Sequence, residues 1–482
     1  MQRITAATAA SLFDVAASRR IEQAAAVAVP PHRLMQRAGL AVARLAMATA
    51  PHARTVWIAC GPGNNGGDGF EAAAQLRQRG VEAVVTWIGD ENRLPADARA
   101  SLQRARDAGV RFADTPPAQA DLAIDALLGI GAARAPEGAM ADWLRRMHAG
   151  PAPVLSIDLP SGLNADTGVL SMDFLPATAA VRRICLSLLT LKPGLFTAQG
   201  RDAAGQVWFD DLGMAPATEQ ATARLCGAPA PAARRHASHK GSYGDVAVIG
   251  GAPGMAGAAL LAASAALNAG AGRVFVAPLD PQTAMLDTTQ PELMFRRPEA
   301  LDLASMTVVC GCGGGASVRD LLPRVLAEAH SVVLDADALN AIAADGALQG
   351  LLAARTAADR ATVLTPHPLE AGRLLGIGAA EVQADRLRAA NRLVERFGAT
   401  VVLKGSGTIV AAPGATPAIN TTGNARLATA GTGDVLAGMI GAALASRKQA
   451  IEAACEAVWR HGDLADRWPA DRPLTASALA RG

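Results

Sequence analysis

The sequence predicts two α/β domains in tandem, each a parallel sheet covered by helices on both faces. Three observations carry this reading. Short runs rich in Val, Ile and Leu alternate with alanine-rich helical stretches, the pattern of strands buried on both faces. The alternation lapses once, between about Met214 and Ser238, where Ala, Pro, Thr and Arg follow without periodicity, and then resumes. With 482 residues, half of them apolar and 18% charged, the chain is long enough for two cores of ordinary size. The expected division is a first domain at 1–220, a linker at 221–237 and a second domain at 238–482.

In the first half the expected strands are Thr55–Cys60, Glu82–Trp87, Leu122–Asp125, Val154–Asp158 and Ile184–Leu189, with helical segments before, between and after them. In the second half they are Asp245–Ile249, Arg273–Ala277, Thr307–Cys310, Ser331–Asp335, Thr362–Thr365 and Thr400–Lys404. The uncharged stretch Val246–Gly272 is interrupted by Gly250-Gly251, Pro253-Gly254 and Gly257 and is alanine-rich in its second half. It reads as a buried strand, a turn and a packed helix, not a membrane span. No internal period of roughly 20–50 residues relates the halves, so a repeat array is excluded.

Basic and acidic residues nearly cancel, 45 against 43, and no basic block is long enough to track a phosphate backbone, so nucleic acid is not the expected partner. The six cysteines, Cys60, Cys185, Cys226, Cys310, Cys312 and Cys455, show neither CxxC pairing nor a companion histidine pattern. They read as small core residues in a reducing compartment, and the N-terminus lacks a signal-peptide apolar region; a cytoplasmic location is expected. Basic charge is almost all arginine. Lysine stands only at 192, 240, 404 and 448, which singles those positions out.

The first chemical constellation begins at Gly61-Pro-Gly-Asn-Asn-Gly-Gly-Asp-Gly69, which follows one expected strand and opens an expected helix. Glycines let the backbone approach a ligand, and free amides at the helix start suit an anion. Gly61, Gly63 and Gly66 also satisfy the spaced-glycine dinucleotide pattern, which any tight strand-to-helix turn can meet. Asp125 and Asp158 end two further strands. In an open α/β sheet such positions converge on one crevice, so Asn65, Asp68, Asp125, Asp158 and Ser161 are candidates for one pocket, with oxygen donors suited to a hard cation. Either acid alone could equally cap the turn that follows it.

Together with Lys192-Pro-Gly-Leu195 and Asp211-Leu-Gly213, these segments resemble the epimerase domain of the NAD(P)H-hydrate repair family, which has a Rossmann-like three-layer fold. The resemblance implies that Asn64, Asn65, Gly66, Gly67 and Asp68 hold the hydrated nicotinamide nucleotide. It implies further substrate contacts at Gly129, Ile130, Gly131, Ala132, Ala133, Arg134, Ala135 and Asp158, and a potassium ion on Asn65, Asp125 and Ser161. The hydrate is a hemiaminal whose ring nitrogen can expel hydroxide and take it back on either face, so an acid/base carboxylate such as Asp158 would speed the exchange.

The second constellation comprises Ser238-His-Lys-Gly-Ser-Tyr-Gly244, Gly250-Gly-Ala-Pro-Gly-Met-Ala-Gly-Ala258, Asp335-Ala-Asp-Ala-Leu-Asn340, Thr365-Pro-His-Pro-Leu-Glu370, Leu403-Lys-Gly-Ser-Gly-Thr408 and Ala430-Gly-Thr-Gly-Asp-Val435. A Gly-Thr-Gly turn opening a helix offers amides to a phosphate, and Asp434 in the first helical turn can take a proton from an attacking hydroxyl. Lys404, in a chain that almost never uses lysine, can neutralise or orient a nucleotide. His367 lies between two prolines, which stiffens its backbone and presents its ring.

These segments resemble the ribokinase-like superfamily and, in combination, its NAD(P)H-hydrate dehydratase branch, so the C-terminal domain is expected to be a ribokinase-like α/β fold. Domain order matches the fused repair proteins of prokaryotes. The resemblance implies ADP as co-substrate with Mg2+, Asp434 as the base, substrate contacts at Ala258, Gly313, His367 and Asp434, and a nucleotide site at Lys404, Gly405, Ser406, Gly407, Thr408 and Gly433. Two positions depart from the family pattern: Gly311-Cys-Gly-Gly-Gly315 replaces Gly-Pro-Gly-Leu-Gly, and Ala430 replaces a glycine. The expected ligands are therefore NAD(P)H hydrates and ADP, with no nucleic acid and no membrane, in a homo-oligomer. The competing reading is a ribokinase-like small-molecule kinase fused to a non-catalytic nucleotide-binding domain; a kinase leaves a phosphorylated product, whereas a dehydratase releases phosphate. An oxidoreductase fits less well, because only Asp90 lies near the distance at which an acid would grip a ribose.

Overall fold

All eleven expected strands form, each within one residue of its expected ends. The computed structural model describes residues 1–131, 135–175, 182–214, 218–230 and 236–482. The chain divides into two units, Met1–Thr5 with Ser11–Ala223, and Ala6–Ala10 with Arg224–Gly482.

The core of the first unit's sheet is parallel. Strand Thr55–Cys60 pairs with Glu82–Trp87 on one side and with Leu122–Ala126 on the other. Beyond Leu122–Ala126 come Val154–Ile157, Arg183–Leu188 and Gln206–Asp210, all parallel. The connection after Thr55–Cys60 therefore runs one way and the later chain returns to its other side, which makes the carboxyl end of this strand a topological switch point. Alternate side chains serve opposite faces. Val56 and Ile58 join one buried cluster with Phe70 and Leu102, while Trp57 and Ala59 join another with Leu144 and Met147. The edges are closed by two-residue strands, Gln2–Arg3 and Arg111–Phe112, too short to leave a periodic signal.

In the second unit, strands Met294–Phe295, Arg273–Pro278, Asp245–Gly250, Thr307–Cys310, Ser331–Leu334, Thr362–Leu364 and Thr400–Leu403 lie side by side in that order, all parallel. Ile409–Ala411 then pairs antiparallel with Thr400–Leu403, and Ala418–Ile419 follows it. Helices Ala256–Asn268 and Thr432–Ala445 pack on the sheet and on each other. Gly438 permits the approach: a Cβ there would lie 2.0 Å from the carbonyl oxygen of Ala262. The stretch Val246–Gly272 is the strand, turn and packed helix expected from its glycines and alanines, and among the described residues no helix is long and apolar enough to cross a membrane.

Part of the expected linker is structured. Ala223–Leu225 forms a strand parallel to Ala418–Ile419, with Ala223 and Leu225 buried and Arg224 between them half-buried, its Nη2 3.7 Å from Cys455 Sγ. Three residues flanked by Pro, Thr and Gly carry too little alternation to be read as a strand. Residues 231–235 of that stretch lie outside the described residues.

Candidate active sites

In the first unit, helix Asn64–Gln78 starts directly after the switch-point strand, and its N-cap is Gly63, which brings no side chain to the free amides of the first turn. The turn is tight enough to require its glycines: a Cβ on Gly61 would sit 1.8 Å from the Leu127 carbonyl oxygen, and one on Gly66 would sit 2.1 Å from that of Gly61. The result is a cleft of about 670 Å³ lined by Asn64, Asn65, Asp68, Gly129, Ile130 and Gly131 together with Asp158, Lys192 and Glu22. Most of the substrate contacts implied by the sequence thus meet in one cavity. Gly66, Gly67 and Ala135 do not line it, and Ala132, Ala133 and Arg134 lie outside the described residues.

Asp158 follows its strand with φ +65, a conformation that non-glycine residues rarely adopt. Its amide donates to Leu186 O (2.8 Å), and its Oδ1 accepts the Leu188 amide (3.1 Å) and the ammonium of Lys192. Lys192 is 1% exposed and also donates to Leu188 O (3.0 Å), Thr190 O (2.9 Å) and Ser187 Oγ (3.3 Å). Burial, then the charge of Asp158, pushes Glu22 up; the same two causes, in that order, push Asp68 well above the carboxylate range. Carboxyls raised in this way beside Asp158 suit acid/base chemistry.

The three groups expected to hold a cation are linked through the loop at Leu127–Gly129. Asp125 Oδ1 accepts the Ser161 hydroxyl (2.6 Å) and the Leu127 amide (3.2 Å), while Oδ2 accepts the Ser161 amide (2.8 Å). Ser161 Oγ accepts the Leu128 amide (2.8 Å), and the next residue, Gly129, lies against Asn65. Asn65 is buried with its Nδ2 unpartnered, and burial raises the Asp125 carboxyl despite its hydrogen bonds. An orphaned amide, whose two ends can exchange places, beside a buried carboxylate and a hydroxyl fits a hard monovalent cation.

In the second unit the candidates again lie at the carboxyl edge. Gly313, with φ +57, has no room for a Cβ, which would meet Ala258 Cβ at 2.9 Å; these two implied substrate contacts adjoin. Helix Thr432–Ala445 opens on Gly431, φ +89, and carries Asp434 in its first turn. Lys404 Nζ lies 3.4 Å from where a Cβ of Gly433 would stand, so these two expected nucleotide contacts meet. Lys404 donates to Asp335 Oδ1 at 2.7 Å, and Asp335 also accepts the Thr365 hydroxyl at 2.7 Å. Burial pulls the Lys404 ammonium down, but Asp335 and Glu370 outweigh it and hold it above its ordinary value. Burial and the charge of Asp335 lift Asp434 to about 6, with the Cys312 thiol donating to it. Cys312, Asp335 and Asp434 place ligand atoms within 4.8 Å of one another. This group does not suit Mg2+: a thiol is a poor donor for a hard cation, and Asp335 is already compensated by Lys404.

His367 is placed differently from expectation. Its ring is not simply presented: Nδ1 caps helix Pro368–Leu375, accepting the amides of Leu369 (3.1 Å) and Glu370 (3.3 Å), while Glu370 Oε2 accepts the His367 amide (2.8 Å). Only Nε2 is left for a ligand, and that nitrogen stands 3.3 Å from Glu370 Oε1. Four further residues belong to the sites without a sequence assignment: Lys192, Glu22, Asp335 and Glu370. Rarity of lysine marked Lys192; Glu22 is one acid in an amphipathic helix and carries no signal.

Fold and sites together define a fusion of two α/β enzyme units, one with a cleft at its switch point and one with a glycine-rich turn that opens a helix beside Asp434, Lys404 and Asp335. Residues 246–481 match the NAD(P)H-hydrate dehydratase family, and residues 31–194 match the YjeF-related protein N-terminus family. Over 451 residues the chain is 37% identical to the bifunctional NAD(P)H-hydrate repair enzyme Nnr of Escherichia coli (strain K12), covering 90% of this chain and 85% of that protein. The enzyme of that name from Moorella thermoacetica is 36% identical, covering 99% and 95%. The ADP-dependent (S)-NAD(P)H-hydrate dehydratase of Neisseria meningitidis serogroup B is 44% identical over 256 residues, 52% of this chain and 85% of that one. A crystal structure of the ADP/ATP-dependent NAD(P)H-hydrate dehydratase of Bacillus subtilis with ATP/Mg2+ is 32% identical, covers 52% of this chain and 90% of that one, and superposes with a TM-score of 0.43. The chain belongs to the bifunctional NAD(P)H-hydrate repair enzymes.

The Gly431–Gly433 turn is held by a buried histidine. His461 Nε2 donates to Thr432 O at 2.9 Å, and burial lowers the ring to about 4. An unfolded histidine titrates near 6.5, so between about 4 and 6.5 the unfolded chain binds the proton and the folded chain does not. Stability of the second unit therefore falls on acidification through that window. Urea midpoints at pH 7 and pH 5 should differ, and His461→Gln should shrink the difference; an unchanged difference would remove His461 as its source.

Proposed function

We propose that the chain repairs hydrated nicotinamide cofactors. The first unit interconverts the R and S epimers of NAD(P)H hydrate, and the second dehydrates the S epimer at the expense of ADP, giving NAD(P)H, AMP and phosphate. The observation that carries the reading is the convergence of Asp434, Lys404, Asp335 and the Gly431-Thr432-Gly433 turn at one sheet edge, in a chain whose family is named for this repair.

At the second site the ADP terminal phosphate is cradled by the turn's amides and the positive end of helix Thr432–Ala445, with Lys404 beside it. Asp434 takes the proton from the hydrate hydroxyl as that oxygen attacks phosphorus and the bond to AMP breaks. The ring nitrogen then pushes out the phosphate, and the adjacent carbon gives up a proton to restore the double bond. Burial and the charge of Asp335 hold Asp434 near 6 against the opposing charge of Lys404, where it is unprotonated at neutral pH yet basic enough to act. Mg2+ would come with the ADP phosphates and offset their charge, since among the described residues the Cys312, Asp335 and Asp434 group does not suit it.

At the first site the nucleotide lies across the cleft with its phosphate toward the amides of Asn64–Asp68, and Asp158 serves the carbon that loses and regains hydroxide. Lys192 and the Leu188 amide fix Oδ1, which leaves Oδ2 for the proton. K+ on Asn65, Asp125 and Ser161 supplies a fixed positive charge that helps to hold the substrate. Crystals soaked in thallium should show a heavy scatterer among these three residues; ordered substrate with nothing between them would refute the assignment.

Incubation of the full chain with mixed hydrate epimers and ADP should restore nicotinamide absorbance with equimolar AMP and phosphate; a stable phosphorylated product would favour the kinase reading instead. Asp434→Asn should lower dehydration by roughly 10²–10⁴-fold, the range for a general base, with ADP binding kept. In the parent, the rate should climb as pH rises through about 6, as the base loses its proton. Lys404→Ala should weaken ADP binding by about 1–3 kcal/mol in calorimetry; unchanged affinity would count against its role.

A further inference from the structure

The Lys404–Thr408 turn rests on a buried arginine to which no role has been given. Arg386 opens helix Arg386–Phe397 and is 1% exposed, one of the largest fully buried side chains described. Its Nη2 donates to both Leu403 O and Lys404 O at 3.2 Å, and its Nη1 donates to Gln383 Oε1 at 2.6 Å. The guanidinium also fills the space behind Gly405. A Cβ on that glycine would lie 2.8 Å from Nη1 and 3.0 Å from Nη2, and Gly405 has φ +137, a conformation reserved for glycine. Burial lowers the guanidinium to about 10, so at neutral pH it keeps its charge.

A buried charge is costly to retain, and an apolar residue of similar volume would satisfy packing alone. What the arginine adds is a fork that ties two successive carbonyls at the point where the strand Thr400–Leu403 becomes the turn. Gly405-Ser406-Gly407 has two glycines and would otherwise sample many backbone states, so ordering it would draw on the free energy of ligand binding. Lys404 is fixed from the same side, since its amide donates to Pro366 O at 2.9 Å.

We propose that Arg386 is the positioning residue of the nucleotide site, pre-ordering the Lys404–Thr408 turn for the ADP diphosphate through the carbonyls of Leu403 and Lys404 without touching the nucleotide itself. This rests on the reading that ADP binds at this turn. Loss of Arg386 then acts on ADP affinity more than on the chemical step, because Asp434 and the Gly431–Gly433 amides stay in place.

The test uses the full chain. Arg386→Met keeps the volume and the fold without the fork; it should raise Kd and KM for ADP about tenfold, as expected for two lost charge-assisted bonds, while kcat changes by less than about threefold. Arg386→Ala should show the same defect, and millimolar guanidinium, entering behind the exposed Gly405, should restore most of the affinity where methylammonium does not. Parent-like ADP affinity in folded Arg386→Met overturns the proposal, as does an Arg386→Ala defect that ignores guanidinium. Should Arg386→Ala fail to fold, Arg386→Met decides alone. The two layers separate: a parent chain that does not bind ADP, or a Lys404→Ala variant that binds it normally, sinks the functional reading, whereas a weakened Lys404→Ala beside a normal Arg386→Met sinks only the role of Arg386.

Discussion

Each site is organised by a lysine, fully buried in the first unit and partly exposed in the second, bonded to an aspartate at the carboxyl edge of a parallel sheet. Lys192 pairs with Asp158 in the first unit and Lys404 with Asp335 in the second. Taking two charges out of water costs several kcal/mol per ion unless both are paired and their remaining donors satisfied. Lys192 meets that demand with two carbonyls and a hydroxyl as well as its carboxylate; Lys404, 18% exposed, donates to Asp335 and stands 4.0 Å from Glu370. The chain has only four lysines, and two of them are used in this way.

The pairs govern what surrounds them. Burial and the charge of Asp335 lift Asp434 to about 6 against the opposing charge of Lys404, so this carboxyl is tuned close to neutrality. In the first unit the charge on Asp158 contributes in the same way to the raised Glu22 and Asp68. In both units the pair stands where strands end, so polar loops face the ligand while the Val, Ile and Leu of the strands stay in the core.

Much of this was legible in residue order. Continuous β-branched runs located the strands, and glycine-rich runs located the turns at both candidate sites. The rarity of lysine pointed to Lys192 and Lys404. What sequence could not convey depends on long-range contacts. Nothing near Glu22 announces that its helix lines the cleft, and nothing in Ala223–Leu225 announces its partner almost two hundred residues on. His367 has the stiff Pro-His-Pro frame of a ligand residue, yet Glu370 three positions later makes it half of a capping box. Asp335 looks like an N-cap, but its side chain goes to Lys404 and Thr365 instead.

The central claim is that the two sites act on one substrate pool, the first feeding the second. A dehydratase that must align one face of the hydrate ring with ADP consumes one epimer only, so the other must be converted upstream. The most direct measurement is the progress curve of Asp158→Asn against the parent on an equal mixture of epimers with excess ADP, read within minutes at neutral or higher pH, before spontaneous epimerisation intervenes. The account predicts matching initial rates, with the variant stalling near half completion while the parent runs to the end. A variant that consumes both epimers as fast as the parent would contradict it.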